Sequence, residues 1–227
     1  MSTENATNPE RMDRQRARRM GVAPSTSLRR HFLSLARQTR QWWTGQSKFS
    51  NGRPCTIGVT SIASGSGNST VAYNLAVAMT SVARSKVLLV ECDFGRHFIT
   101  RRLGNGRQMG LSELLTGVVE MEEVITPTPI QNLDAMGCGQ VSEQIALELP
   151  FDELPQVINR CFIDYGYAIF DLPVTTNLTA CHSVAPALDG VILNVEANQI
   201  DHKLISRFRN AMHALNVPIV GMVINKQ

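Results

Sequence analysis

Residues 64–70 read Ser64-Gly65-Ser66-Gly67-Asn68-Ser69-Thr70. This stretch follows an apolar, β-branched run at 56–60 and precedes a helical pattern over 68–83. Its two glycines allow positive φ angles and a close approach of the backbone to an anion. The helix that follows directs unpaired amides and its positive dipole end at the same place. The stretch therefore predicts a phosphate-binding loop; the alternative is a Gly/Ser-rich turn between a strand and a helix.

One position of this loop departs from the common pattern. The motif G-K-[ST] has lysine where this chain has Asn68, whereas Ser69 keeps the hydroxyl that the motif offers to Mg²⁺. The lysine places a positive charge on the β- and γ-phosphates during phosphoryl transfer. Loss of one preorganised contact of this kind costs about 10²–10³ in rate. Nucleotide binding is therefore expected to survive, and turnover is expected to fall.

Acidic residues follow two further apolar runs. The run 86–90 is followed by Glu91 and Asp93, and the run 167–170 is followed by Asp171. In a parallel sheet these strand ends meet at one edge, where ligands bind in open α/β folds. A single carboxylate at a strand end is more often a solvated turn residue or a helix cap. Three signals in this order favour a ligand site at that edge.

These motifs give the sequence a recognisable pattern. From about Arg37 to its last residue it resembles the cytoplasmic domain of bacterial tyrosine kinases of the capsule and exopolysaccharide type, within the ParA/MinD-like P-loop ATPases. Residues 60–70 are similar to the loop T-S-x-x-P-G-E-G-K-S-T of that family, and N-L-A follows at 74–76 in both. The family motif D-x-D-x-R corresponds to 91–95, with Glu91 as a longer first acid and Gly95 in place of arginine. The Walker B motif is intact at Asp171 and Pro173.

The resemblance implies a set of roles. ATP and Mg²⁺ are the expected ligands, with Ser64–Thr70 at the phosphates and Asn225 near the adenine base. Ser69, Asp93 and Asp171 are the implied metal ligands, the last of them through water. Asp93, Glu91 and Asp171 are the implied catalytic acids, of which Asp93 orients or deprotonates an acceptor hydroxyl. The implied partner is a membrane protein of the chain-length or co-polymerase type in polysaccharide assembly, and no nucleic acid is expected.

Departures from the family favour a degenerate kinase. Asn68, Glu91 and Gly95 all weaken the motifs. The given sequence ends at Gln227 without the tyrosine cluster of the family, so an autophosphorylated tail is not expected. The favoured interpretation is an ATP-binding pseudokinase that regulates exopolysaccharide biosynthesis.

Two alternatives remain. The first is a weakly active tyrosine kinase acting in trans, in which Arg96, Arg101 or Arg102 replaces the missing lysine. The second, less favoured, is a ParA/MinD-like positioning ATPase. Such proteins use an additional lysine early in the loop, where Ala63 or Ser64 stands in this chain.

Length and periodicity predict the fold. A chain of 227 residues with 43% hydrophobic content can bury one α/β core plus an extension. Strands are expected near 55–61, 87–92, 132–137, 167–171, 190–195 and 218–224. Helices are expected near 68–83, 150–163, 176–187 and 200–214. This alternation predicts a doubly wound, mostly parallel sheet in a P-loop NTPase-like domain at 55–227.

Charge separates an N-terminal extension from this domain. Residues 1–54 carry 11 Lys/Arg and 3 Asp/Glu, whereas the remainder carries 11 and 16. Residues 1–28 are Arg-rich and poor in aromatic residues, and we expect them to be disordered. Residues 29–54 are expected to form an amphipathic basic helix and a linker. Packing of this helix on the domain is favoured; the alternatives are contact of 29–43 with a membrane surface or a partner.

Two arginines, the cysteines and the lack of long apolar runs lead to three smaller expectations. Members of the family that the sequence resembles join subunits through E-x-x-R-x-x-R. Arg37 and Arg40 remain here while Ser34 replaces the glutamate, so a homo-oligomer through these arginines is expected only if another acid takes its place. The five cysteines show no metal-ligand spacing and are expected to be small buried hydrophobes. No membrane span or signal peptide is visible, so a cytoplasmic location is expected.

Overall fold

The computed structural model describes residues 26–46, 53–102, 109–174 and 178–225. The strands are β1 Cys55–Ser61, β2 Lys86–Glu91, β3 Ile125–Pro127, β4 Leu133–Met136, β5 Tyr165–Asp171, β6 Gly190–Glu196 and β7 Ile219–Asn225. The α-helices of the described ranges are α1 Thr26–Thr44, α2 Asn68–Ala83, α3 Phe98–Arg102, α4 Leu111–Leu115, α5 Met121–Val124, α6 Glu143–Ala146, α7 Leu154–Cys161, α8 Leu178–Val184 and α9 His202–Ala214.

The strands form one seven-stranded sheet in the order β3-β4-β2-β5-β1-β6-β7. All neighbouring strands pair in parallel except β3, which pairs antiparallel with β4. The predicted doubly wound, mostly parallel α/β fold is therefore confirmed. Strand β3, which has three residues and ends in Pro127, was not predicted from the sequence, and neither were the short helices α3 to α6. Such brief elements have too little periodicity to be recognised.

The sheet is covered on both faces. Ile57, Leu89 and Ile192 pack in one core with α1 and α2, whereas Leu88 and Phe170 pack in another with α4, α7, α8 and α9. Successive strand residues point to opposite faces. The same strands therefore contribute side chains to both cores, which explains why their sequences are continuous apolar runs.

Helix α1 lies on α2, in agreement with the favoured expectation for the N-terminal extension. Phe32, Ala36 and Thr39 are buried at this contact, and Arg40 Nη1 donates to Val82 O at 3.2 Å. The helix begins at Thr26, three residues before the expected boundary, and the rest of the predicted disordered tail lies outside the described residues. Within the described ranges, no helix combines the length and the apolar character needed to cross a membrane.

The strand register brings the polar strand ends together. Asp171 at the end of β5 lies beside Val59 of β1 on one side and beside Glu91 of β2 on the other. Ser61 at the end of β1 lies beside Asn194 of β6. The buried acids Glu91 and Asp171 and the start of the loop at 62–67 therefore lie together at the carboxyl edge of the sheet.

Gly110 gives a test of the packing at this edge. A Cβ there would lie 2.2 Å from Gly137 O and 2.6 Å from Gly139 N. These are backbone atoms of the segment after β4, so they cannot move aside cheaply. Gly110→Ala should lower the free energy of unfolding in urea by about 1–3 kcal/mol. Gly221→Ala is the matched control, because a Cβ at Gly221 meets nothing within 4 Å, and it should change stability by less than about 0.5 kcal/mol. Equal effects of the two substitutions would contradict the described packing.

Candidate functional site

The loop between β1 and α2 has a backbone suited to an anion. Gly65 and Gly67 have φ angles of 82° and 80°, a region that side chains disfavour. Helix α2 begins at Asn68, and its N-cap, Gly67, supplies no side-chain cap. The first amides of a helix lack intrahelical acceptors. Those of α2 are therefore available to a negatively charged group at the loop.

The carbonyl of Ser66 anchors this loop to the sheet. Asn194 Nδ2 and Asn225 Nδ2 each donate to Ser66 O at 3.0 Å, and the Ser66 hydroxyl donates to Ala63 O. Asn225, which the sequence predicts to lie near an adenine base, thus stands at the rim of the loop. Asn194 was not predicted. The signal for it is a single polar residue in the otherwise apolar run 191–195.

Asn68 turns its side chain into the protein beneath the loop. It is 5% exposed. Its Nδ2 donates to Val59 O at 3.0 Å, to Asp171 Oδ1 at 3.0 Å and to Leu172 O at 2.9 Å. An amide nitrogen carries two hydrogens, so three acceptors share them. Asn68 therefore ties the start of α2 to β1 and to the end of β5.

Ser69 and Asp171, two of the predicted metal ligands, lie together. The Ser69 side chain lies close enough to the Asp171 carboxyl to lower the pKa of that group. Thr70, the last residue of the predicted loop, is half-buried in the first turn of α2, and its carbonyl accepts from Asn74 Nδ2 at 2.8 Å.

Asp171 is fully buried, and its Oδ2 has no hydrogen-bond partner among the described residues. Burial raises the pKa of Asp171 to about 8. The charges of Glu91 and Asp93 act in the same direction, whereas the hydrogen bonds from Ser69 and Asn68 oppose it. The carboxyl is therefore mostly protonated at neutral pH unless a cation is bound beside it.

Asp93 and Arg96 connect the β2–α3 segment to the loop. Asp93 Oδ1 accepts from Gly95 N at 3.2 Å, and Arg96 Nε lies 3.7 Å from Asp93 Oδ2. Arg96 Nη2 also donates to Ser64 Oγ. Burial raises the pKa of Asp93, and the charge of Arg96 opposes that rise.

Of the three arginines considered as substitutes for the lysine, Arg96 contacts two predicted site residues. Arg102 instead places its guanidinium 4.5 Å from the ring centroid of Phe98, and Arg101 is exposed on α3. The position adjacent to the family arginine thus supplies a cation at the mouth of the loop.

Glu91, at the end of β2, is hydrogen-bonded to the start of α3. It is fully buried, and its Oε1 accepts from Ile99 N at 2.7 Å. Its Oε2 accepts from Thr100 N at 3.0 Å and from Thr100 Oγ1 at 2.5 Å. These bonds hold the start of α3, and the catalytic role implied for Glu91 stays a prediction.

The donor set at the loop suits a magnesium nucleotide. Mg²⁺ prefers oxygen ligands, and it is held in such sites by one or two carboxylates together with substrate phosphates. Ser69 and Asp171 supply a hydroxyl and a carboxyl side by side. Asp171 Oδ2 and Asn68 Oδ1 are buried oxygens without partners among the described residues, which leaves acceptor capacity at this point.

The fold and this edge together define a P-loop NTPase-like protein whose loop has asparagine in place of lysine. No protein-family model matches the chain. The chain is 23% identical over 201 residues to tyrosine-protein kinase CpsD of Streptococcus agalactiae, and the match covers 86% of each protein. It is 22% identical over 173 residues to the succinoglycan biosynthesis transport protein ExoP of Rhizobium meliloti, covering 75% of this chain and 22% of ExoP.

Solved structures show the same fold. The kinase domain of Escherichia coli tyrosine kinase ETK superposes with a TM-score of 0.71 at 22% identity, covering 84% of this chain and 75% of that domain. The septum site-determining protein MinD of Pyrococcus horikoshii, solved with Mg-ADP, gives 0.61 at 23% identity, covering 75% and 70%. The chain is therefore a homologue of the bacterial tyrosine-protein kinases with a MinD-like fold, and the resemblance seen in its motifs is confirmed.

Asp171 makes the stability of the metal-free protein depend on pH. Its folded pKa of about 8 exceeds the unfolded value of about 3.9, so the folded state binds more protons between these two values. Stability should therefore fall as pH rises from about 4 to about 8, by at most about 1.4 kcal/mol per pH unit from this group. Urea unfolding in EDTA at several pH values measures this slope.

Asp171→Asn should flatten that slope and be more stable than the wild type at pH 8, because an amide does not titrate. Asp152→Asn removes an exposed acid and serves as the control, which should keep the wild-type slope. A slope that is the same in Asp171→Asn and in the wild type would contradict the described burial of Asp171.

Proposed function

We propose that this chain is an ATP-binding, catalytically degenerate homologue of the bacterial tyrosine kinases that regulates exopolysaccharide biosynthesis. The observation that carries the proposal is the position of the Asn68 amide, which three oxygens hold beneath the loop. The loop keeps its conformation by this contact, but the contact brings no charge to a phosphate. The loop can therefore bind a nucleotide although it transfers the phosphoryl group poorly.

Each part of the site has a role in nucleotide binding under this proposal. The amides at Gly65–Thr70 bind the phosphates, and Ser69 and Asp171 hold Mg²⁺. The ion would neutralise charge on the phosphate oxygens. Asn194 and Asn225 keep Ser66 in place through its carbonyl. Asn68 fixes the start of α2, so that the helix amides stay directed at the phosphates.

The proposal predicts binding without efficient turnover. Calorimetric titration with Mg²⁺·ATP should show saturable binding, whereas phosphoryl transfer to a tyrosine peptide should be slow. Asn68→Lys should raise turnover by about 10²-fold, because it restores one preorganised charge at the phosphates. Radiolabel transfer from ATP measures that change. If calorimetry detects no heat of binding up to millimolar nucleotide, every interpretation that depends on a nucleotide is excluded.

Asn68→Met is the matched control for this substitution. It removes the same amide and adds a long unbranched side chain, but it carries no charge. If it raises turnover as much as Asn68→Lys does, the missing charge is not the cause of the low activity. If neither substitution raises turnover, the loss of activity extends beyond this residue.

A second candidate function is a weakly active tyrosine kinase that acts in trans. The contact of Arg96 with both Ser64 and Asp93 favours it, because it places a guanidinium between the loop and the acid proposed to orient the acceptor hydroxyl. An arginine at such a point can stabilise the charge that develops on a transferring phosphoryl group.

This candidate predicts that residual activity depends on Arg96. Arg96→Ala should lower residual phosphoryl transfer at least about tenfold, a loss of about 1.4 kcal/mol of transition-state stabilisation. Arg101→Ala, an exposed arginine of α3, should leave it unchanged. The measurement is radiolabel transfer at saturating Mg²⁺·ATP. Equal activity of the two variants would argue against a role for Arg96 as the substitute cation.

The surface of α1 supports a proposal about partners. Its apolar side packs on α2, whereas Arg29, Arg30 and Arg37 are exposed. We propose that residues 29–43 contact a membrane surface or a membrane protein of the chain-length or co-polymerase type. The relative ExoP, a transport protein of succinoglycan biosynthesis, supports that class of partner. A homo-oligomer through Arg37 and Arg40 remains a proposal, and Arg40 already bonds Val82 O within its own chain.

A further inference from the structure

Three metal-ligating side chains meet behind the segment that carries Asp93. Glu91 ends β2, His97 directly precedes α3, and Cys138 follows β4. One ligand atom of each lies within 4.8 Å of the others. Cys138 Sγ lies 2.9 Å from His97 Nδ1. We propose that Glu91, His97 and Cys138 bind a zinc ion.

The ligand chemistry selects the class of ion. Zn²⁺ is bound by cysteine sulfur, histidine nitrogen and carboxylate oxygen, usually in a tetrahedron. Mg²⁺ and Ca²⁺ instead prefer all-oxygen sites. The Cys/His/Glu set therefore differs in kind from the oxygen site at Ser69 and Asp171. Three protein ligands leave one position of a tetrahedron open to water or a further group.

Charge balance favours a cation at this point. Glu91 and Cys138 are both fully buried, and among the described residues no ion pair reaches Glu91. A buried charge is costly unless it is paired, and the three hydrogen bonds to Glu91 bring no opposite charge. When Zn²⁺ binds, the Cys138 thiol releases its proton to solvent, and a thiolate and a carboxylate then balance the two positive charges. The occupied site is electrically neutral.

The surrounding hydrogen bonds orient the ligands. A carboxylate has about four lone-pair positions. Three of those on Glu91 accept from Ile99 N, Thr100 N and Thr100 Oγ1. The Cys138 thiol is a further donor to Glu91, and the loss of its proton on metal binding frees that position for the ion. Hydrogen-bonded carboxylates of this kind are typical of metal sites. The Cys138 carbonyl accepts from Ser112 N at 3.0 Å, which fixes the thiol-bearing residue against α4.

His97 provides access and a link to the loop site. It is half-buried, whereas its two proposed co-ligands are fully buried, so the site is reached from the surface at His97. Its backbone N donates to Asp93 O at 3.3 Å. A bound ion would therefore fasten the Asp93–His97 segment to the end of β4. The inference that the bound ion affects Asp93 and Arg96 rests on the proposed function, whereas the inference that the ion binds does not.

The test is metal binding by the full chain, first stripped with a chelator and free of nucleotide. Zn²⁺ titration against a chromophoric chelator should show one tight ion per chain. Co²⁺ loaded in its place should give a near-ultraviolet thiolate-to-metal charge-transfer band. Cys138→Ser should abolish the band and weaken Zn²⁺ binding at least about tenfold, whereas Cys181→Ser, another buried free cysteine, should retain both.

Further variants keep the test decisive. His97 has a φ of 48°, and asparagine tolerates that region, so His97→Asn should fold and should also lose tight binding. If circular dichroism shows that Cys138→Ser is unfolded, His97→Asn is used as the test variant in its place. A wild type without the cobalt band, or equal Zn²⁺ affinity in all variants, would overturn the proposal and leave a thiol–imidazole hydrogen bond. Because the assay contains no ATP, failure of the nucleotide proposal would not change its result.

Discussion

The side-chain amide of Asn68 is the contact on which the rest of this edge depends. Three oxygens surround its nitrogen at 2.9–3.0 Å, from Val59 in β1, from Asp171 at the end of β5 and from Leu172 directly after it. A buried acceptor left without a donor costs about 1–3 kcal/mol. Val59 O also accepts from Leu172 N at 2.9 Å, whereas the Asn68 amide is the donor to Asp171 Oδ1 and to Leu172 O. The loop, the helix start and both strands therefore behave as one unit, with a neutral group where related loops carry a cation.

Without a lysine, the three acids at the strand ends are accommodated in three different ways. Glu91 accepts hydrogen bonds from two amides and a hydroxyl of α3. Asp93 pairs with Arg96. Burial raises the pKa of Asp171 to about 8, so that a proton neutralises it. These solutions are compatible with a divalent cation beside Ser69, because a metal ion can displace that proton.

Much of this arrangement could be predicted from the sequence. The strands β1, β5 and β6 have long apolar runs, and α2 follows a recognisable loop, so these elements were predicted within a few residues. The hydrogen bonds of Glu91 could not be predicted, because its partners Ile99 and Thr100 belong to a five-residue helix without a periodic signal. Asn194 was missed because one polar residue inside an apolar strand has no meaning until its neighbour in the sheet is known.

The sheet, the anion-binding loop, the kinase resemblance and the loss of the loop lysine could all be predicted from the sequence, because they depend on local periodicity and short motifs. The tertiary structure alone decided which way the Asn68 amide points, which acid is neutral and which arginine reaches the loop. It also brought Glu91, His97 and Cys138 together, although their spacing along the chain predicts no metal site. The reason is physical: these properties depend on burial and on distances between strands that are remote in sequence.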